Sequence, residues 1–200
     1  TAGDAERIAG LGATAVEVCG NLKFDVTPPA DKLALGHEWR AAIGQRPVWL
    51  AASTREGEEP LVLEAWRKVA VSDALLVLVP RHPQRFDEVA DLLLRQDVRF
   101  VRRSQGMPDA DTQVWLGDSM GEMAAYFALA DLAFIGGSLL PLGGQNLIEA
   151  AACGCPVLIG PHTFNFKQAT EDAIAAGAAL RVDSPEMLAS TVNRKFGQKT

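Results

Sequence analysis

The feature that most constrains this chain is a rhythm in which short, mostly apolar runs, several of them continuous, alternate with stretches whose apolar residues recur at helical spacing. The runs are Ala15–Val18, Val48–Ala52, Ala74–Val79, Val98–Val101, Gln113–Leu116, Leu132–Ile135, Pro156–Ile159 and Ala179–Val182. Between them lie segments such as 86–94, where Phe86, Val89, Ala90, Leu93 and Leu94 share one helical face. A strand that is apolar at every position must be covered on both sides, and a parallel sheet with helices on both faces does this. Right-handed crossovers then fix the winding. The expected fold class is α/β, a doubly wound, Rossmann-like parallel sheet of about six or seven strands across residues 30–182.

Composition narrows the function. Aromatic residues make up only 6% of the chain, and Ala, Leu, Val and Gly dominate, which suits helices packed closely on a sheet. The net charge is -6, with no stripe of Lys and Arg interleaved with aromatics, so nucleic acid is not the expected partner. The cysteines, Cys19, Cys153 and Cys155, are odd in number and sit in apolar or turn contexts, which fits a reducing compartment better than a disulfide framework. Cys153-Gly154-Cys155 lacks two further ligands at zinc spacing, so no metal is expected. No apolar run approaches the ~20 residues that cross a bilayer.

The first run differs from the others. It is followed by Gly20–Asp25, then Pro28-Pro29, before a polar helix start at Asp31, which is linker chemistry. The chain also opens at Thr1 inside a helix-like pattern and reads as a piece of a longer protein. Residues 1–25 are expected to be the tail of a preceding domain with the start of a linker, and 26–200 one Rossmann-like domain.

In an open parallel sheet, ligands bind beyond the carboxyl ends of the strands. Four segments follow strands there. In Ser53–Glu59, the hydroxyls suit helix capping and the acids suit the helix macrodipole. In Pro80–Pro83, Pro83 suits a first helical turn, while Arg81 and His82 would project into the crevice, where a guanidinium suits a phosphate or base edge. In Gly117–Glu122, Asp118 or Ser119 could cap the next helix, with a Ser119–Glu122 capping box, or the segment's N–H groups could meet a ligand. The richest segment carries Gly136-Gly137-Ser138 and Gly143-Gly144-Gln145-Asn146-Leu147-Ile148-Glu149. Its glycines let backbone approach a ligand, its helix start suits a phosphate, and Glu149, one turn below Asn146, can accept two ribose hydroxyls. Helix capping by Asn146 is the competing reading. Downstream, Gly160–Phe166 combines turn chemistry with Asn165 as an N-cap, and His162 reads as structural or solvent-facing rather than sugar-facing. His37 is incidental, and Trp49 and Trp115 read as core.

Taken together, Gly20–Asp25 (GNLKFD), Ala51–Glu59 (AASTREGEE), Pro80–Phe86 (PRHPQRF), Asp118–Glu122 (DSMGE), Gly136–Ser138, Gly143–Glu149 (GGQNLIE) and Gly160–Phe166 (GPHTFNF) resemble, in order, the C-terminal half of the 3-deoxy-D-manno-octulosonic acid (Kdo) transferases. The resemblance spans roughly residues 15–182. It implies the C-terminal half of a GT-B glycosyltransferase fold, CMP-Kdo as donor and a lipid A precursor as acceptor in lipopolysaccharide biosynthesis. It further implies an inverting, metal-independent transfer without a cofactor, at the cytoplasmic face of the bacterial inner membrane. Arg81, Met120, Gly121, Glu122, Asn146 and Glu149 would hold the CMP portion. His82, Ser138 and Gly144, from the same segments, complete the expected donor-nucleotide set. Gln145 stands where the family usually carries His, and Leu147-Ile148 where Pro-Leu is frequent. No catalytic residue is expected in this chain, because the family's base and acceptor site belong to the N-terminal half, and the chain alone is expected to be inactive. A UDP-sugar-dependent GT-B transferase or epimerase is the alternative among enzymes, and a non-catalytic nucleotide-binding module the alternative outside them. The first does not account for PRHP, DSMGE and GPHTFNF together, and intact motifs argue against the second.

Overall fold

The structure is a computed structural model that describes residues 2–18 and 26–197. Cys19 and the Gly20–Asp25 motif lie outside the described residues. Two helices, α1 (Ala2–Gly10) and α2 (Ala30–Ile43), precede the first strand. The chain then alternates β1 (Val48–Thr54), α3 (Glu58–Arg67), β2 (Leu75–Pro80), α4 (Phe86–Arg95), β3 (Phe100–Arg102), β4 (Val114–Leu116), α5 (Met123–Leu129) and β5 (Leu132–Ile135). It finishes with α6 (Ile148–Ala152), β6 (Val157–Ile159), α7 (Lys167–Ala175), β7 (Ala179–Arg181) and α8 (Pro185–Gly197).

The seven strands form one sheet in the order β3-β4-β2-β1-β5-β6-β7, and every pairing is parallel. Alternation along β1 shows why both faces need helices. Val48, Leu50 and Ala52 enter the core that includes Trp39 of α2 and Tyr126 of α5, while Trp49 and Ala51 enter the opposite core with Leu63 of α3 and Leu188 of α8. Contact between α2 and α5 depends on Gly36, where a Cβ would lie 2.4 Å from the carbonyl oxygen of Ala125.

Two expected strands differ from the structure. The run 15–18 forms no strand, and Val16 and Val18 are exposed. No strand lies beside it among the described residues, and a short apolar run without a neighbouring ladder leaves its backbone groups to water. The third strand begins at Phe100 rather than Val98. Val98 is drawn into the end of α4, where its N–H reaches the carbonyl of Leu93 at 3.1 Å and that of Asp97 reaches Leu94 at 3.1 Å. Asp97 takes the left-handed conformation (φ 54°) that such a helix terminus requires.

The winding decides where a ligand can enter. From β1 the chain builds outward through β2 to the β3 edge, inserts β4, and then crosses β1 to place β5, β6 and β7 on the other side. The reversal falls between β1 and β5, so the loops leaving these strands diverge and open a crevice at their carboxyl ends.

Candidate functional site

The crevice is shaped by how closely the β1 and β5 loops approach. The β1 ladder shifts register between Ala52 and Thr54, and Ser53 there adopts φ 54°, a conformation uncommon outside glycine. Gly136, at the end of β5, faces it, and a Cβ at Gly136 would lie 2.4 Å from the carbonyl oxygen of Ser53. The following loop doubles back, so that Gly144 N–H donates to the Gly137 carbonyl at 2.6 Å and Gln145 N–H to the Gly136 carbonyl at 2.9 Å. This fold-back places Gln145 and Asn146 over the strand ends.

The result is a cavity of about 360 Å³ at the switch point, within the range of small-molecule sites. Arg81, Met120, Gly121, Glu122, Asn146 and Glu149 line it together. Ser53, Tyr126, Gln145 and Phe166 complete its polar and aromatic walls. Met120 is 58% exposed and stands at the rim. The Arg81 Nε donates to Gln145 Oε1 at 3.2 Å, bridging the β2 and β5 loops across the mouth.

The two carboxylates of the cleft differ. Glu122 is satisfied, accepting from Arg103 at 3.1 Å and from the Ser119 hydroxyl, and Arg103 itself lies 4.8 Å over the Trp39 ring. Glu149 is half-buried, has no hydrogen bond or ion pair to its carboxylate among the described residues, and burial raises its pKa above the ordinary 4.5. Tyr126, buried behind Ser119 with hydroxyls 3.1 Å apart, is also pushed upward by burial.

Three of the expected residues lie outside the cavity wall. Ser138 is fully buried, its hydroxyl donating to the Ile135 carbonyl and accepting from Gly160 N–H at 2.8 Å, so it fastens the end of β5 to the end of β6. Gly144 is buried against the Thr163 segment and serves the loop reversal through φ 76°. His82 sits before the 3₁₀ turn Pro83–Arg85, and partial burial, with Arg55, Arg81 and Arg85 nearby, lowers its pKa and favours the neutral ring. His162 belongs to a separate cavity of about 310 Å³ with Phe164 and Lys167.

Local capping also departs from the spacing. The helix carrying Glu149 starts at Ile148 rather than Asn146 and has 5 residues. Its first N–H, that of Ile148, is taken by Asn146 Oδ1 at 3.0 Å, so this end offers less to a phosphate than a long helix would. Asp118 does not cap α5 but accepts from the N–H and hydroxyl of Ser104 at 2.8 and 2.6 Å. Asn165 reaches back to the Leu142 carbonyl at 3.4 Å instead of capping α7. Neither Ser53 nor Thr54 caps α3, and the Thr54 hydroxyl donates to Glu59 at 2.8 Å. Sequence reasoning also missed three charged residues behind the cleft, Glu58, Glu59 and Arg85. Their only visible signal is an acidic pair inside AASTREGEE and a second arginine inside PRHPQRF.

No family model matches the chain. It is 52% identical over 185 residues to the 3-deoxy-D-manno-octulosonic acid transferase of Bordetella pertussis, covering 89% of this chain and 43% of that protein. The enzyme of the same name from Haemophilus influenzae is 41% identical over 173 residues, covering 84% of this chain and 40% of that protein. Among solved structures, the C-terminal CMP-Kdo binding domain of WaaA from Acinetobacter baumannii superposes with a TM-score of 0.81 at 32% identity, covering 86% of this chain and 92% of that domain. The chain belongs to the Kdo transferase family. It spans less than half the length of the curated Kdo transferases it matches and nearly the whole of the WaaA domain. The doubly wound sheet is thus the C-terminal half of a GT-B fold. The cavity lies at the switch point of this Kdo transferase domain, between its two central strands.

Proposed function

We propose that the cleft holds the CMP portion of CMP-Kdo and that the whole enzyme transfers Kdo from it to a lipid A precursor. Glu149 is the observation that carries this reading. A half-buried carboxylate without a partner is disfavoured in the free protein and gains most from a ligand that brings hydroxyl donors. A ribose brings two. Arg81 and the backbone near Gly121 supply cation and N–H groups for the phosphate, and Asn146 with Gln145 presents amides to the base or sugar. Similarity to a domain described as CMP-Kdo binding supports the choice of cytidine.

In this proposal the transfer inverts the anomeric centre, needs no metal or cofactor, and takes its base and acceptor site from the remainder of the enzyme. It takes place at the cytoplasmic face of the inner membrane, on a membrane-bound acceptor. Calorimetric titration with CMP and UMP tests the donor assignment. CMP is expected to bind one-to-one and at least ten-fold tighter than UMP, whereas equal binding of the two would favour the UDP-sugar reading. This chain alone is expected to transfer no sugar, and turnover of CMP-Kdo onto a lipid acceptor by the chain alone would contradict the division of labour.

A further inference from the structure

Behind the cleft, the first turn of α3 carries two adjacent carboxylates, Glu58 and Glu59, both with 0% exposure. Neither lines the cavity, and each is fully engaged elsewhere. Glu58 Oε1 accepts from the N–H groups of Ser138 and Leu139 at 3.0 and 3.1 Å. Its Oε2 accepts from the N–H of Gly137 and from that of Arg55 at 3.0 Å. Three consecutive backbone N–H groups converging on one anion form a nest, and Gly137 supplies the left-handed turn it requires (φ 69°). A turn of this kind at the switch point of a doubly wound sheet is suited to a ligand phosphate. Here the chain's own carboxylate fills it.

Glu59 works on the neighbouring loop. Its two oxygens accept from Arg85 Nη1 and Nη2 at 2.6 and 3.1 Å, and Oε1 also accepts from the Thr54 hydroxyl. Arg85 closes the 3₁₀ turn that follows Arg81 and His82, and the Arg81 N–H is itself tied to the Thr54 carbonyl at 2.9 Å.

We propose that Glu58 and Glu59 are positioning residues of the donor cleft. Glu58 is the built-in anion of the β5 turn, keeping a ligand phosphate out of it and holding the loop that carries Gln145, Asn146 and Glu149. Glu59, through Arg85, holds the loop that carries Arg81. The linkage from Glu58 is continuous. Its carboxylate fixes the N–H groups of Gly137–Leu139, and the carbonyls of Gly136 and Gly137 fix the N–H groups of Gln145 and Gly144. Loss of the anion therefore leaves converging N–H dipoles unpaired and frees one wall of the cavity. The effect on nucleotide affinity rests on the donor reading above, whereas the occupancy of the turn by an anion does not.

The test is Glu58→Ala with sodium formate as a replacement carboxylate, sodium chloride serving as the ionic-strength control. Amide NMR reads the turn directly. In the variant, exchange protection at Gly137, Ser138, Leu139, Gly144 and Gln145 is expected to fall at least ten-fold, and formate, but not chloride, is expected to restore it saturably. CMP affinity is expected to fall at least ten-fold and to recover in formate. Failure of formate to perturb the three turn amides would overturn the proposal, as would a folded variant with turn protection and CMP affinity within two-fold of wild type. Wild-type protein that does not bind CMP would refute the donor reading instead, and the amide readouts would still decide the anion assignment. If Glu58→Ala does not fold even in formate, Glu58→Gln fills the same volume while presenting an NH₂ to two of the four N–H groups. A lowered melting temperature with unchanged loop protection and CMP affinity in that variant would mean a purely structural carboxylate. Glu59→Gln is expected to loosen the amides of Arg81 and His82 and to leave Gly137–Leu139 protected, and the reverse pattern would remove its assigned role.

Discussion

Glu149→Gln separates binding from stability, because the two effects have opposite signs. In the free protein the carboxylate is half-buried, carries no partner among the described residues, and has a pKa above its ordinary 4.5 because burial disfavours the charge. Its contribution to stability is therefore fully present below pH 4.5 and is lost as the pH rises through the raised folded value. Relative to the glutamine variant, which does not titrate, the wild type should lose ground across that window and then level off, leaving Glu149→Gln at least as stable at neutral pH. Binding should move the other way. Charge-assisted hydrogen bonds from two ribose hydroxyls are worth about 1.5–3 kcal/mol each. Losing the equivalent of one already weakens CMP by roughly ten-fold, since 1.4 kcal/mol is a factor of ten. Calorimetry with CMP and 2′,3′-dideoxy-CMP, paired with thermal melts across pH, checks both halves. Wild type should prefer CMP by at least about ten-fold, and the variant should nearly abolish that preference. Equal losses for the two nucleotides would refute the ribose contact. Destabilisation at neutral pH by roughly 0.3–1 kcal/mol would instead mean that Glu149 only complements the helix dipole.

Two further substitutions test the scaffold. Arg85→Ala strands Glu59, whose side chain has no exposure, and breaking a buried pair costs about 3–5 kcal/mol. At roughly 2–4 °C per kcal/mol for a domain of this size, the melting temperature should fall by about 6–20 °C, and adding Glu59→Gln should recover part of the loss. A drop of only a degree or two would show that the pair is dispensable. Gly136→Ala places a methyl 2.4 Å from the Ser53 carbonyl, forcing β1 and β5 apart at their ends. Melting temperature and CMP affinity should both fall, and unchanged CMP affinity would mean that this contact does not shape the cleft.

The sheet was legible because parallel strands buried on both faces leave a signal in contiguous residues: Leu75–Pro80 and Leu132–Ile135 are buried at every position. The run 15–18, interrupted by Glu17, carries a weaker form of that signal without the structure, because a short apolar segment does not specify its neighbour. In the cleft, Asn146 and Glu149 were readable from the glycine pairs before them, which mark a loop folding back over strand ends. Ser138 was not, since spacing cannot say whether a loop serine faces the crevice or ties one strand end to another. Glu58 and Glu59 read locally as macrodipole partners because their true partners are distant in sequence. The Glu58 contacts to Gly137, Ser138 and Leu139 span 79, 80 and 81 residues, and the Glu59–Arg85 pair spans 26. Local patterns set helix ends and strands, whereas the arrangement that holds the cleft open depends on contacts that exist only once the sheet is wound.

Whether the switch-point cavity is the donor site is read off a crystal structure of this chain with CMP. The nucleotide is expected between Arg81, the 120–122 turn and Asn146, with the ribose hydroxyls on the Glu149 carboxylate and Glu58 still occupying the Gly137–Leu139 turn. CMP bound away from Glu149, or with its phosphate seated in that turn in place of Glu58, would contradict it.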